Sequence, residues 1–124
     1  MERKLKVLIV DDEPNIVMSL DYLFRKNGFE VYLARNGEEA LALLNDTTPD
    51  LMMLDIMMPK VDGYEVCRYV RATKELDHCK VVFMSAKGKE ADIEKGLAMG
   101  AELYIPKPFS TRDLMKKVTA LLAG

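Results

Sequence analysis

The stretch from Leu51 to Gly63 constrains the fold of this chain most, because an uninterrupted apolar run leads directly into one carboxylate. The run from Leu51 to Leu54 is typical of a strand buried on both faces of a parallel sheet. An acid in such a run is costly unless it emerges at the strand end, so Asp55 is predicted to be an exposed acid there. Pro59 cannot extend the strand, and Gly63 allows a close turn before the next segment.

Composition narrows the class of protein. With 124 residues, of which 49% are hydrophobic, the chain fits one globular domain over residues 1–124. A formal net charge of -2 gives no electrostatic case for binding nucleic acid or an anionic membrane. The cysteines, Cys67 and Cys79, form no C-x-x-C pair, and the single His78 argues against a zinc site. Free thiols, no leader and no apolar run of about 18 residues predict a cytoplasmic protein without a membrane span.

Apolar periodicity predicts five strands that alternate with five helices. The predicted strands are Leu5 to Val10, Glu30 to Ala34, Asp50 to Leu54, Lys80 to Met84 and Glu102 to Ile105. The first helix is predicted from about Pro14 to Lys26, and Asn36 to Glu39 resembles a capping box for the second. Prolines 106 and 108 place the fifth strand at a sheet edge. The alternation requires an α/β fold, a doubly wound parallel sheet covered on both faces.

Five chemically active side chains follow the ends of the predicted strands: Asp11, Asp12, Asp55, Ser85 and Lys107. Ligands of open α/β sheets bind at this edge. Two unit charges about 4 Å apart interact by roughly 4 kcal/mol at an effective dielectric near 20, so three clustered carboxylates need a cation. Oxygen ligands without His or Cys indicate magnesium or calcium, and a small cage completed by water favours Mg²⁺.

The charges at this edge suit phosphoryl transfer to a carboxylate. The three carboxylates, one Mg²⁺ and Lys107 sum to zero, so the metal and the ammonium can neutralise the oxygens of a moving phosphoryl group. Asp55 is the predicted acceptor, because it follows a central strand between the acidic pair and Ser85 with Lys107. Asp11 and Asp12 could instead cap the first helix, but two adjacent acids beside Asp55 favour the metal site.

Taken in order, these pieces resemble a response-regulator receiver domain of the chemotaxis-regulator kind over the whole chain. The matching pieces are Asp11-Asp12-Glu13, Asp55 to Pro59, Asp62-Gly63-Tyr64, Ser85-Ala86, Gly100-Ala101 and Tyr104 to Phe109. The resemblance implies a flavodoxin-like sheet with strand order 2-1-3-4-5. It also implies that a histidine kinase or a phosphotransfer protein phosphorylates Asp55 in a two-component system.

The resemblance implies a metal site around the acceptor. Asp12, Asp55 and the backbone carbonyl of Met57 would bind Mg²⁺, and Asp11 would contribute through water. Met57 offers the metal no side-chain ligand and is expected to modulate the chemistry. Lys87, two residues beyond the hydroxyl of the fourth strand, is hypothesised to change the phosphate lifetime by hindering or orienting water.

The same resemblance implies a switch. Ser85 would hydrogen-bond the phosphoryl group, and Lys107, positioned by a cis bond to Pro108, would pair with it. Tyr104 would turn inward as Ser85 moves. The output would be a population shift between two packings of the fourth helix, fifth strand and fifth helix, which a downstream partner reads. Apart from accepting the phosphoryl group and slowly hydrolysing it, the chain is not expected to be an enzyme.

The same residues argue against two other protein classes. A flavodoxin-like carrier would need a Ser/Thr/Gly-rich phosphate loop where Asp11 to Glu13 stand, and a haloacid-dehalogenase-type phosphatase would need an Asp at Met57. The alternative is an unphosphorylated adaptor with the same fold. Glu102-Leu103-Tyr104 departs from the Asp-Asp-Tyr/Phe of many transcription-factor receivers, so we expect a monomer or a weak phosphorylation-dependent dimer. The domain could stand alone or belong to a longer regulator.

Overall fold

Strands and helices alternate in the computed structural model, which describes residues 4–58, 61–86 and 90–123. The strands are β1 (Lys6–Val10), β2 (Glu30–Ala34), β3 (Leu51–Asp55), β4 (Lys80–Ser85) and β5 (Leu103–Pro106). The α-helices are α1 (Pro14–Lys26), α2 (Gly37–Thr47), α3 (Gly63–Ala72), α4 (Glu90–Ala98) and α5 (Thr111–Ala123). A short 3₁₀ helix at Lys74–Leu76, which the periodicity does not predict, precedes β4.

The strands form one sheet in the order β2-β1-β3-β4-β5, and every described pairing is parallel. This confirms the doubly wound, flavodoxin-like architecture. Strand order reverses between β1 and β3, so their carboxyl ends define the crevice where ligands of such sheets bind. β5 is an edge strand as predicted, and its Pro106 pairs with Ser85 at the end of β4.

Side chains of successive strand residues point to opposite faces of the sheet and form two apolar layers. On one face, Met52 and Leu54 join a cluster with α2 and α3, while on the other Leu51 and Met53 join a cluster with α1 and α5. All four side chains are fully buried. Burying one such side chain contributes about 1.5–3 kcal/mol, so these layers hold the central strands in register. The methionines of β3 are therefore core residues.

Both cysteines are buried and free. Cys67 lies on α3 and Cys79 just before β4, and both belong to the layer beneath α2 and α3. Burial raises the pKa of both thiols, that of Cys79 to about 12. The prediction that Cys67 is a small core residue is confirmed.

The prediction that Asp55 is exposed is wrong. β3 extends through Asp55, which lies in register with Met84 and is only 3% exposed. The ladder continues one residue further, because the Ile56 N–H donates to the Met84 carbonyl at 3.1 Å. The carboxylate does stand at the strand end, but it is buried instead of open to solvent.

Two predicted local features take the form that the sequence indicates. Asn36 accepts the Glu39 N–H at 2.9 Å, and Glu39 in turn accepts the Arg35 N–H at 2.9 Å, one residue earlier than in a standard capping box. A Cβ on Gly63 would lie 2.5 Å from the Asp55 carbonyl oxygen, so glycine is required where α3 begins. Pro59 lies outside the described residues. No helix within the described ranges is both long and apolar enough to cross a membrane.

Candidate functional site

Three carboxylates meet at the carboxyl edge of the sheet. One oxygen each from Asp11, Asp12 and Asp55 lies within 4.8 Å of the others. Adjacent strands bring them together, because Asp11 and Asp12 follow β1 while Asp55 ends β3. Asp11 is fully buried, and its N–H donates to the Ala34 carbonyl at 3.2 Å, whereas Asp12 is exposed. Asp11 therefore lies buried at the base of the pocket, and Asp12 lies at its solvent-exposed edge.

Lys107 brings a positive charge into this pocket. Its Nζ lies 2.8 Å from Asp11 Oδ2, 3.1 Å from Glu13 Oε1 and 3.7 Å from Asp55 Oδ1. The Lys107 side chain is 9% exposed, and its backbone N–H donates to the Ser85 carbonyl at 2.8 Å. The bond between Lys107 and Pro108 is cis, as the resemblance implies. One ammonium thus faces several carboxylates.

Crowding changes the acidity of the groups. Burial raises the pKa of Asp55 to about 6, and the negative charge of Asp11 adds to the rise. The Lys107 charge and the Met57 N–H, 3.3 Å from Asp55 Oδ1, offset part of it. Burial alone would lower the pKa of Lys107, but its hydrogen bond to Asp11 and the charge of Asp55 raise the pKa above its ordinary value. Asp55 and Lys107 therefore each hold a proton more tightly in this pocket than the isolated side chains would.

The donor set fits a hard divalent cation. Asp11, Asp12 and Asp55 offer oxygen ligands only, the chemistry that Mg²⁺ prefers over softer metals. With Lys107, these groups carry a formal charge of -2, which one Mg²⁺ would neutralise. Met57 lies on the loop above, with its side chain 55% exposed. Its carbonyl as a metal ligand stays a prediction, and Lys87 lies outside the described residues.

Ser85 and Tyr104 lie on the side of the pocket formed by β4 and β5. Ser85 ends β4 and is fully buried, one strand from Asp55. Tyr104 pairs in register with Phe83, and both rings pack in the layer that contains α3. A Cβ on Gly96 would lie 2.9 Å from the Phe83 ring and 3.5 Å from the Tyr104 ring, so α4 lies directly over them. The geometry is compatible with the implied switch and leaves that role a prediction.

The family of the chain follows from a direct comparison. The family model described as "Response regulator receiver domain" matches residues 7–119. The chain belongs to the response regulator receiver domain family. It is therefore a signalling domain of two-component systems, and the pocket of Asp11, Asp12 and Asp55 is consistent with a phosphoacceptor site.

Solved structures of receiver domains superpose closely on this one. A structure described as a response regulator from Chloroflexus aurantiacus J-10-fl shares 32% identity at a TM-score of 0.91, over 98% of this chain and 100% of that chain. The chemotaxis protein CheY4 of Vibrio cholerae shares 28% identity at 0.89, over 95% and 98%. A CheX-CheY-BeF₃-Mg²⁺ complex from Borrelia burgdorferi shares 31% identity at 0.88, over 95% and 89%. The receiver architecture therefore covers nearly the whole chain.

Sequence reasoning missed one member of the receiver pocket. The sequence pattern predicts no role for Glu13, although its carboxylate contacts Lys107 at 3.1 Å. Its position directly after Asp12 was the available signal. The contact could not be inferred from spacing, because it also depends on where the loop after β5 directs the Lys107 side chain.

Proposed function

We propose that Asp55 of this receiver domain accepts a phosphoryl group from a histidine kinase or a phosphotransfer protein. Support comes chiefly from three carboxylate oxygens within 4.8 Å of one another, beside the ammonium of Lys107. In this proposal Asp12, Asp55 and the Met57 carbonyl bind Mg²⁺, and Asp11 contributes through water. The bound Mg²⁺ would neutralise charge on the oxygens of the moving group.

The transfer needs little from the protein beyond position and charge. A carboxylate oxygen of Asp55 forms a bond to phosphorus as the phosphorus–nitrogen bond of the donor histidine breaks, and the leaving imidazole nitrogen takes up a proton. With a pKa of about 6, Asp55 is mostly ionised at neutral pH and can attack. The Lys107 ammonium then pairs with the transferred oxygens, and the Ser85 hydroxyl donates to them.

The proposed output lies beside the pocket. As Ser85 moves toward the phosphoryl group, Tyr104 turns inward, and a partner reads the surface of α4, β5 and α5. In support, Tyr104 pairs in register with Phe83, two residues before Ser85 on β4. Met57 and Lys87 would tune the lifetime of the phosphate, Met57 from the loop after β3.

We place this activity in the cytoplasm, on one domain over residues 1–124. Two free, buried cysteines suit a reducing compartment. The domain would act through protein contacts, with neither nucleic acid nor membrane as a direct partner, as a monomer or a weak phosphorylation-dependent dimer. Its only chemistry would be phosphoryl uptake from a donor and slow hydrolysis of the product.

Intact mass after incubation with acetyl phosphate tests the acceptor. The parent protein should gain one phosphoryl group in Mg²⁺ and none in EDTA, and Asp55→Asn should gain none. Asp46→Asn, which makes the same charge change on the exposed face of α2, should behave like the parent. A gain by Asp55→Asn would move the acceptor elsewhere, and no gain by the parent would favour the unphosphorylated adaptor.

A further inference from the structure

Lys107 lies closer to Asp11 and Glu13 than to Asp55 in this structure. Its Nζ hydrogen-bonds Asp11 at 2.8 Å and Glu13 at 3.1 Å, while Asp55 Oδ1 is 3.7 Å away, beyond hydrogen-bond distance. An ammonium has three protons to donate. Asp11 and Glu13 take two of them. If Asp55 carries the phosphoryl group as proposed above, a shift of Lys107 Nζ toward it lengthens one of the two shorter contacts.

The contact to Asp11 is the costly one to break. Asp11 is fully buried, and its other oxygen, Oδ1, accepts the Glu13 N–H at 2.9 Å. Its own N–H is fixed to the Ala34 carbonyl. Separating Lys107 from this buried carboxylate would remove the cation that contacts it directly, which costs more than breaking an exposed pair. Asp11 therefore keeps Lys107 within the pocket in either state.

The contact to Glu13 is the cheap one to break. The Glu13 side chain is 60% exposed, so water replaces the ammonium when the pair separates. Glu13 precedes α1 as its N-cap residue, but its side chain makes no capping hydrogen bond. Its carboxylate instead accepts a hydrogen bond from Lys107 at 3.1 Å.

We propose that the Glu13 side chain is a positioning residue that tethers Lys107 away from Asp55 and releases it when the phosphoryl group arrives. The tether stabilises only the unphosphorylated arrangement, because the released carboxylate returns to water. It therefore lowers the affinity of the pocket for a phosphoryl group. This proposal rests on Asp55 as acceptor.

Fluoroberyllate with Mg²⁺, a mimic of the phosphoryl group, provides the first test. Its dissociation constant, measured by ¹⁹F NMR titration, should fall about two- to fivefold in Glu13→Gln, the range expected for losing one exposed ion pair. Glu13→Asp should show the same fall, because it keeps the charge but is one methylene too short to maintain the 3.1 Å contact. Asp46→Asn, which alters charge far from the pocket, should match the parent.

Several outcomes would overturn the tether. If Glu13→Gln binds more tightly but Glu13→Asp matches the parent, net charge and not the contact is responsible. Unchanged or weaker binding in both variants would also overturn it. Urea unfolding of each variant confirms that binding is compared between folded proteins.

A second measurement separates the tether from the acceptor proposal. The ¹⁵N and ¹H signals of the Lys107 ammonium, recorded without Mg²⁺ or fluoroberyllate, should shift in both Glu13→Gln and Glu13→Asp. Unchanged signals would overturn the tether whatever the parent binds. Shifted signals in a parent that takes up neither fluoroberyllate nor a phosphoryl group would support the contact and overturn the proposed acceptor instead.

Discussion

The two ends of the sheet use charge in opposite ways. At the amino end Arg71 is matched group by group: its guanidinium donates to Glu102 at 2.7 Å, to the Gly100 carbonyl at 2.8 Å and to the Cys79 carbonyl at 2.9 Å. Glu102 also accepts the Val81 N–H at 2.7 Å. These bonds join α3, the start of β4 and the segment before β5, so the charges there stabilise the fold.

At the carboxyl end, one ammonium is shared among several acids. Lys107 lies within 4 Å of Asp11, Glu13 and Asp55. Such an arrangement is unfavourable for the fold by itself. Burial and the nearby charge of Asp11 raise the pKa of Asp55 to about 6, which shows that its ionised form is disfavoured there. The comparison indicates that the receiver accepts a local cost in stability at the pocket and compensates with matched bonds at the opposite edge.

The largest effect on stability is expected from replacing Arg71 at the amino end of the sheet. Arg71→Met should lower the free energy of unfolding by about 2–4 kcal/mol, because it removes the donor from the Cys79 and Gly100 carbonyls and from the partly buried Glu102 carboxylate. Glu102→Gln should cost less, since its amide oxygen can still accept the Val81 N–H. Urea unfolding measures both. Folded Arg71→Met should still take up a phosphoryl group, and loss of uptake would contradict the separation of roles between the two ends.

A smaller effect, of opposite sign, is expected at the pocket. In EDTA at pH 7.5, Asp55→Asn should raise the free energy of unfolding by about 1–3 kcal/mol, because it removes a buried carboxylate. The folded pKa of about 6 exceeds the ordinary value of 3.8, so the folded parent binds the proton more tightly than the unfolded chain does. The parent therefore loses stability as pH rises from about 4 through about 6, and the gain of the variant should vanish below that window.

Urea titrations of both proteins across that pH range measure the difference. Asp46→Asn, an exposed acid on α2, is the matched control and should show no such pH-dependent gain. A gain by Asp55→Asn that persisted unchanged at pH 3.5 would mean that it does not arise from the ionised carboxylate.

The smallest effect is expected from a long, half-exposed pair at the amino end. His78 Nε2 lies 3.9 Å from Asp50 Oδ1, and the His78 side chain is 48% exposed. Asp50 Oδ2 already accepts the Lys6 N–H at 2.8 Å, so it keeps a strong partner without His78. His78→Gln should change the free energy of unfolding by less than about 0.5 kcal/mol in urea. A larger loss would mean that the amino end depends on this pair as well as on Arg71.

Much of the fold could be predicted from the sequence, because periodicity and strand-end chemistry are local signals. The alternation of strands and helices, the edge position of β5 and the meeting of Asp11, Asp12 and Asp55 are confirmed. The burial of Asp55 was not predicted, because it depends on the loop after β3 continuing the ladder through Ile56.

The long-range contacts could not be predicted in this way. Arg71 and Glu102 are 31 residues apart, and Lys107 and Glu13 are 94 apart. No spacing rule links such pairs, and each depends on the directions of loops at the sheet edges. The departure at Glu102 was visible in the sequence, but its partner on α3 was not. Site chemistry was therefore predictable at strand ends and was missed where two loops meet.

The two buried thiols are native reporters of local unfolding in this receiver. Cys67 and Cys79 are at most 1% exposed, and burial holds their pKa values above the ordinary range, so an alkylating reagent must wait for the chain to open. Labelling rates at the two positions would report how often the layer beneath α3 opens, without any engineered probe. Labelling of the native protein can thus show whether occupancy of the phosphoryl pocket changes the opening of the layer beneath α3.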